Sequence, residues 1–207
     1  MPRALRIVLS LWLICLGLAA HAAPKKVLVY GDSLSSAYGM PTQSSWVALL
    51  EGRLKKEHAD YSVANASISG ETTAGGLARI DKTLERERPA ILILELGGND
   101  GLRGLPVAQM KNNLSAIVAR AQKAGAKVLL VGMRMPPNYG EAYNRAFERA
   151  FAEVAKERRS GYLAFLLEGF GDRAELFQPD RIHPTESAQP LIVNNVWRAL
   201  APLLKQR

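Results

Sequence analysis

Five short apolar runs, each followed by a longer segment of helical period, constrain this chain more than any other feature. The runs lie at 26–30 (KVLVY), 61–66 (YSVANA), 90–96 (AILILEL), 127–133 (KVLLVGM) and 162–167 (YLAFLL). They are apolar nearly throughout, as strands covered on both faces are. Between them, Trp46, Leu49, Leu50 and Leu54 share one helical face, and Val107, Met110, Leu114, Ile117 and Ala121 another. Tyr143, Phe147, Ala150 and Val154 form a third such face, and Leu191, Ile192, Val196, Leu200 and Leu203 a fourth. Such alternation predicts a three-layer α/β/α fold around a five-stranded, mostly parallel sheet. No repeat, low-complexity tract or linker divides residues 23–207, so one domain is expected there. Functional groups of such sheets collect in the loops leaving the carboxyl ends of the strands.

Residues 1–22 read differently. Arg3 and Arg6 precede an apolar stretch, and Ala20-His21-Ala22 offers the small-x-small pattern of a secretory cleavage site. The stretch is short for a membrane span, which needs about 20 apolar residues. Export to the periplasm or beyond, with cleavage near Ala22, is therefore expected. Cys15, the single cysteine, would leave with this segment. One thiol excludes a disulfide framework and a cysteine-rich metal centre. The chain carries 27 Lys and Arg against 19 Asp and Glu. Two of those arginines lie in the leader, and the remaining excess is scattered without interleaved aromatics. That pattern fits a solvated basic surface and argues against nucleic-acid binding.

The predicted loops hold a Ser, a Gly, an Asn and an Asp/His pair. Gly31-Asp32-Ser33-Leu34-Ser35 follows the first run, Ser67 to Thr73 the second, Gly97-Gly98-Asn99-Asp100-Gly101 the third, and Asp180-Arg181-Ile182-His183 lies beyond the fifth. Of three histidines, His21 falls in the leader and His58 sits among Lys55, Lys56 and Glu57, which leaves His183 as the base. Asp180, three residues earlier, can share a turn with it and hold one ring nitrogen. Ser33 alone is weak evidence, because serine is common in such loops as a helix N-cap. Its place at the exit of the first strand, before a predicted helix whose N–H groups face a developing anion, makes it the candidate nucleophile. The serine is not in a G-x-S-x-G elbow, since position 35 is Ser. Gly70 and Asn99, each ordinary in a turn when taken alone, complete the set as oxyanion donors beside the Ser33 N–H.

These residues carry a resemblance. Ser33, Gly70, Asn99 and His183 are similar to the four blocks of the SGNH, or GDSL, hydrolase superfamily, with Gly-Asp-Ser-Leu intact at 31–34 and Asp180-x-x-His183 as the closing block. The stretches 65–72 and 96–104 further resemble those of the exported thioesterase/protease/lysophospholipase-type esterases, as do Pro137 to Gly140 and Ala188-Gln189-Pro190. The resemblance spans nearly all of residues 23–207 and implies a flavodoxin-like strand order 2-1-3-4-5. One departure is Arg181, where related chains often carry Gly.

The expected activity is hydrolysis of carboxylic esters and acyl thioesters through an acyl-enzyme on Ser33, with a small-molecule substrate, no cofactor and no metal, in a monomer without a stable membrane span. No H-E-x-x-H or His/Cys cluster calls for a metal. For the acyl pocket, Leu102 and Leu105 in a mobile 101–106 lid, with Met135, Pro136 and Tyr139 opposite, are the candidates; packing under a loop explains them equally well. Two other readings stay open. One is a deacetylase or acyltransferase on the same residues. The other is a flavodoxin-like binding module using the 31–39 loop for phosphate, although no phosphate-loop signature is present.

Overall fold

A computed structural model describes residues 24–205, so the expected leader lies outside the described residues. Five strands, β1 (Lys25–Gly31), β2 (Tyr61–Asn65), β3 (Ile91–Glu95), β4 (Lys127–Val131) and β5 (Gly161–Leu163), form one sheet in the order β2-β1-β3-β4-β5. All pairs are parallel, with Val27 opposite both Val63 and Ile91. The implied order 2-1-3-4-5 is the one observed. Central β3 is buried at every position, whereas the edge strands β2 and β5 are only partly covered.

Among the described residues six α-helices surround the sheet: α1 (Trp46–Glu57), α2 (Thr73–Glu87), α3 (Gly98–Leu102), α4 (Val107–Lys123), α5 (Glu141–Arg158) and α6 (Gln189–Lys205). Crossovers between parallel strands are right-handed. Stepping from β1 to β2 and then back across the sheet therefore places α1 on one face with α6, and α2, α4 and α5 in a row on the other. Ser45 caps α1 by accepting from the Ala48 N–H, and Thr72 caps α2 through Gly75. Trp46, Phe147 and Phe151 are fully buried between sheet and helices. Each such side chain contributes about 1.5–3 kcal/mol by leaving water.

Three local expectations need correction. The fifth strand ends at Leu163, because the chain then folds over the end of β4: the Gly132 N–H donates to Leu163 and the Leu166 N–H to Gly132. Residues 164–167 thus leave the sheet, and Phe165 and Leu167 are freed to face a cavity. Leu49 and Leu191, read as core positions, are exposed in the first turns of α1 and α6. Finally, no helix follows Ser33 directly. Residues 34–39 form turns in which the Ser35 and Ser36 N–H groups both donate to the Asp32 carbonyl, and α1 begins only at Trp46.

Candidate active site

Each predicted loop arrives at the carboxyl edge of the sheet. β1 delivers Ser33 within a turn pinned from several sides. Its Asp32 side chain accepts from the Leu34 N–H, the Trp46 indole donates to the Leu34 carbonyl, and Asn65 donates to the Ser35 carbonyl. Gly31 is needed at the strand end, because a Cβ there would collide with the Glu95 carboxylate and the Ser35 hydroxyl. The β2 loop is fastened alongside by Ser67 to the Gly31 N–H and by a Ser36–Ser69 hydroxyl contact.

Ser33 and His183 meet across 150 residues of sequence. His183 Nε2 lies 2.8 Å from Ser33 Oγ, and its Nδ1 lies 2.7 Å from Asp180 Oδ2. The other Asp180 oxygen accepts from the Ile182 and His183 backbone N–H groups at 2.9 and 3.0 Å. Partial burial pushes the Asp180 pKa up, but donation from the His183 backbone and ring and from Ile182 outweighs this and holds it down at about 2. An ionised carboxylate on Nδ1 fixes the tautomer that leaves Nε2 able to take a hydroxyl proton. Tyr38 packs over the imidazole with ring centroids 4.3 Å apart.

Gly70 and Asn99 flank the serine. Gly70 takes φ +77°, a conformation that favours glycine, and Arg103 donates to its carbonyl at 3.0 Å. Among the described residues nothing accepts from the Ser33 or Gly70 N–H. Asn99 stands in the first turn of α3 and gives one side-chain N–H to Asp32 Oδ2 at 2.9 Å, leaving the other free to donate. The set can therefore present three neutral donors to one oxyanion.

Sequence reasoning passed over the support beneath this turn. Glu95, the one acid within the third apolar run, is fully buried; its Oε2 accepts from the Ser35 hydroxyl and the Asp32 N–H, while Oε1 has no partner. Burial, reinforced by the nearby Asp32 charge, pushes its pKa well up. Burial also raises Asp32 to about 6, against the pull of Leu34, Asn99 and His183. Both groups therefore hold protons in the fold at pH values where the unfolded chain releases them, so stability falls as pH rises from the ordinary carboxyl range through the folded values. Glu95→Gln removes its share of that slope. Stability measured by denaturant at about pH 5 and about pH 8 is expected to favour the variant increasingly over wild type at the higher pH. Parallel curves would refute a raised Glu95 pKa.

Gln178 was also missed. Its amide bridges the Tyr38 and Pro184 carbonyls, and its backbone N–H donates to the His183 carbonyl, tying the His183 loop to the loop that carries Ser33 and Tyr38.

A cavity of about 990 Å³ opens beside the serine. Leu102, Met135 and Pro136 line it, and Phe165, Leu167, Phe170 and Phe177 form walls that the apolar periodicity did not distinguish from strand or core. Leu105 and Tyr139 do not line it. The Tyr139 hydroxyl instead donates to the Leu102 carbonyl, and Tyr143 donates to that of Leu105. These bonds, with Leu105 N–H to Asp100 and Arg103 to Gly70, tie the 101–106 segment down where a loose lid was expected.

The model of the GDSL-like lipase/acylhydrolase family matches residues 29–189. Esterase TesA of Pseudomonas aeruginosa is 50% identical over 187 residues, covering 90% of this chain and 93% of that protein. The thioesterase 1/protease 1/lysophospholipase L1 of Escherichia coli K12 is 40% identical over 183 residues, covering 88% and 86%. Among solved structures, the psychrotrophic esterase EstA from Pseudoalteromonas, inhibited by monoethylphosphonate, superposes with a TM-score of 0.83 at 38% identity, covering 88% of this chain and all of that one.

Proposed function

The chain belongs to the GDSL-like lipase/acylhydrolase family, and on that footing we propose that Ser33, His183 and Asp180 are its catalytic triad. The protein is a serine esterase. The observation that carries the residue assignment is the unbroken chain from Asp180 through both nitrogens of His183 to Ser33 Oγ. Ser33 Oγ attacks the acyl carbonyl carbon while its proton passes to His183 Nε2. The N–H groups of Ser33 and Gly70 and the Asn99 amide receive the oxyanion. Collapse breaks the bond to the leaving alkoxide or thiolate, which takes the proton from His183. Water, deprotonated by the same nitrogen, then releases the acid and restores Ser33.

The substrates proposed are acyl esters and thioesters, with the acyl chain in the cavity walled by Met135, Phe165, Leu167, Phe170 and Phe177. The names of the relatives support both bond types. Export, with cleavage after Ala22, is proposed on the pattern of residues 1–22; no described helix is long and apolar enough to cross a membrane.

An activity profile over ester and thioester chain lengths tests this pocket. Met135→Ala is expected to change the ranking of chain lengths, each methylene being worth about 1–3 kcal/mol in a hydrophobic pocket. Leu105→Ala, outside the cavity, is expected to leave the ranking unchanged. An equal effect of Met135→Ala on short and long acyl groups would remove Met135 from acyl recognition.

A further inference from the structure

At the end of the molecule opposite Ser33, basic side chains gather at the ends of the helices. All five long helices run against the strands, so their carboxyl ends gather at the amino edge of the sheet. Every one of them has a basic residue in its last turn. Helix dipoles favour cations at carboxyl ends, so basic last turns are not by themselves a binding feature. Here α1, α2, α4 and α6 have no acid in the first turn. What the dipole does not require is a cation left without any side-chain partner beyond the last turn.

Two of these cations occupy positions where arginine is the wrong residue for the backbone. Arg88 ends α2 with φ +43° and Arg159 ends α5 with φ +52°, the left-handed C-cap conformation in which glycine is unstrained. Both are exposed, as is Lys123 at the end of α4 between them. None of the three makes a side-chain hydrogen bond or ion pair among the described residues. The three helix ends form one continuous edge: Arg120 of α4 pairs with Asp81 of α2, and Gln122 donates to the Arg158 carbonyl of α5. Between α2 and α4 lies a recess of about 800 Å³, with Leu84 and Pro89 in its walls and Arg88 and Lys123 facing it; Asp81, already paired, and Glu85 face it too.

We propose that this edge is a docking face for an anionic lipid bilayer, with phospholipid phosphates meeting Arg88, Lys123 and Arg159. Lipid fits better than nucleic acid because, among the described residues, no exposed large aromatic side chain lies at this end to stack on bases. The exposed large apolar residues among those described are Tyr38, Leu49, Ile68, Leu105, Ile182 and Leu191, all in loops at the carboxyl edge or in first helical turns. Attachment is then electrostatic and reversible, without apolar insertion. It leaves the catalytic cavity facing away from the surface and open to solvent. This inference is independent of the triad assignment, since binding is read without turnover.

The test uses purified exported protein, with intact mass confirming a start at Ala23 so that no leader contributes. Co-sedimentation is expected with vesicles of phosphatidylglycerol and phosphatidylethanolamine, and not with phosphatidylcholine alone, and salt is expected to release it. The triple variant Arg88→Gly, Arg159→Gly, Lys123→Gln is expected to bind roughly 10²-fold more weakly, about fivefold per surface charge. Its fold is protected, because glycine relaxes both left-handed positions, and turnover of a soluble ester should be unchanged. Equal binding to both vesicle types, unaltered binding by the triple variant, or duplex DNA bound as tightly as the anionic vesicles would each overturn the proposal.

Discussion

Treatment with a fluorophosphonate is expected to leave one covalent adduct per chain, located by peptide mapping on Ser33 and not on Ser35 or Ser36. The three hydroxyls share a turn, but their partners differ. Ser33 Oγ faces His183 Nε2, Ser35 Oγ donates to buried Glu95, and Ser36 Oγ pairs with Ser69. Only the first can pass its proton to a base that has a carboxylate behind it. Ser33→Ala and His183→Ala are each expected to abolish labelling and to lower turnover by roughly 10⁴-fold or more, and the double variant by little further, because the members act as a unit. Asp180→Asn is expected to cost no more than loss of His183, since the ring remains while its tautomer is no longer enforced. A Ser33→Ala enzyme of unimpaired activity would end the assignment.

The second large effect belongs to Asn99. Its amide is held by Asp32 on one N–H, so the other is oriented before charge develops on the substrate, which is the condition under which a single donor contributes most. Asn99→Ala is expected to lower kcat by roughly 10²–10³. KM should change little, because the bond strengthens only at the transition state. The fold should persist: Asn99 is half-buried, and the neighbouring contact that anchors α3 to α2, Asp100 to the Thr73 N–H and hydroxyl, is untouched. A kcat within threefold of wild type would reduce Asn99 to a turn residue.

Much of this site was legible because its chemistry lies in residues that loops of an α/β sheet rarely assemble by chance. Ser33, Gly70, Asn99, Asp180 and His183 are weak signals singly and could be read only as a set, and the sheet order explains why they meet. The support around them was less visible. Glu95 sits in a strand whose other members are apolar, and period alone treats one acid there as an irregularity. Its meaning depends on the Ser35 hydroxyl and Asp32 N–H above it, contacts fixed by tertiary packing. Gln178 gave no signal, because a glutamine becomes a bridge only when two loops from distant parts of the chain are placed beside it. The cavity walls failed for a different reason. Phe165 and Leu167 continue an apolar run that reads as strand, and only the turn after Leu163 sends them elsewhere. Leu105 and Tyr139 show the converse: apolar residues near a site pack against its scaffold as readily as against a substrate.

The separation between Ser33 and His183 has a consequence in time as well as in space. The proposed nucleophile, Ser33, leaves the ribosome early and the proposed base, His183, late, and the bond between them spans 150 positions. The same holds for the anchor of α1, whose Trp46 N–H is accepted by Gln189 at the start of α6. Synthesis runs from the amino end at about 5–20 residues per second, so roughly 8–30 seconds separate the emergence of Ser33 from that of His183. Contacts of such long range also form late in folding. A nascent or truncated chain ending before residue 180 can expose a serine but cannot activate it. On the proposed assignment, hydrolytic competence therefore waits until synthesis is nearly complete.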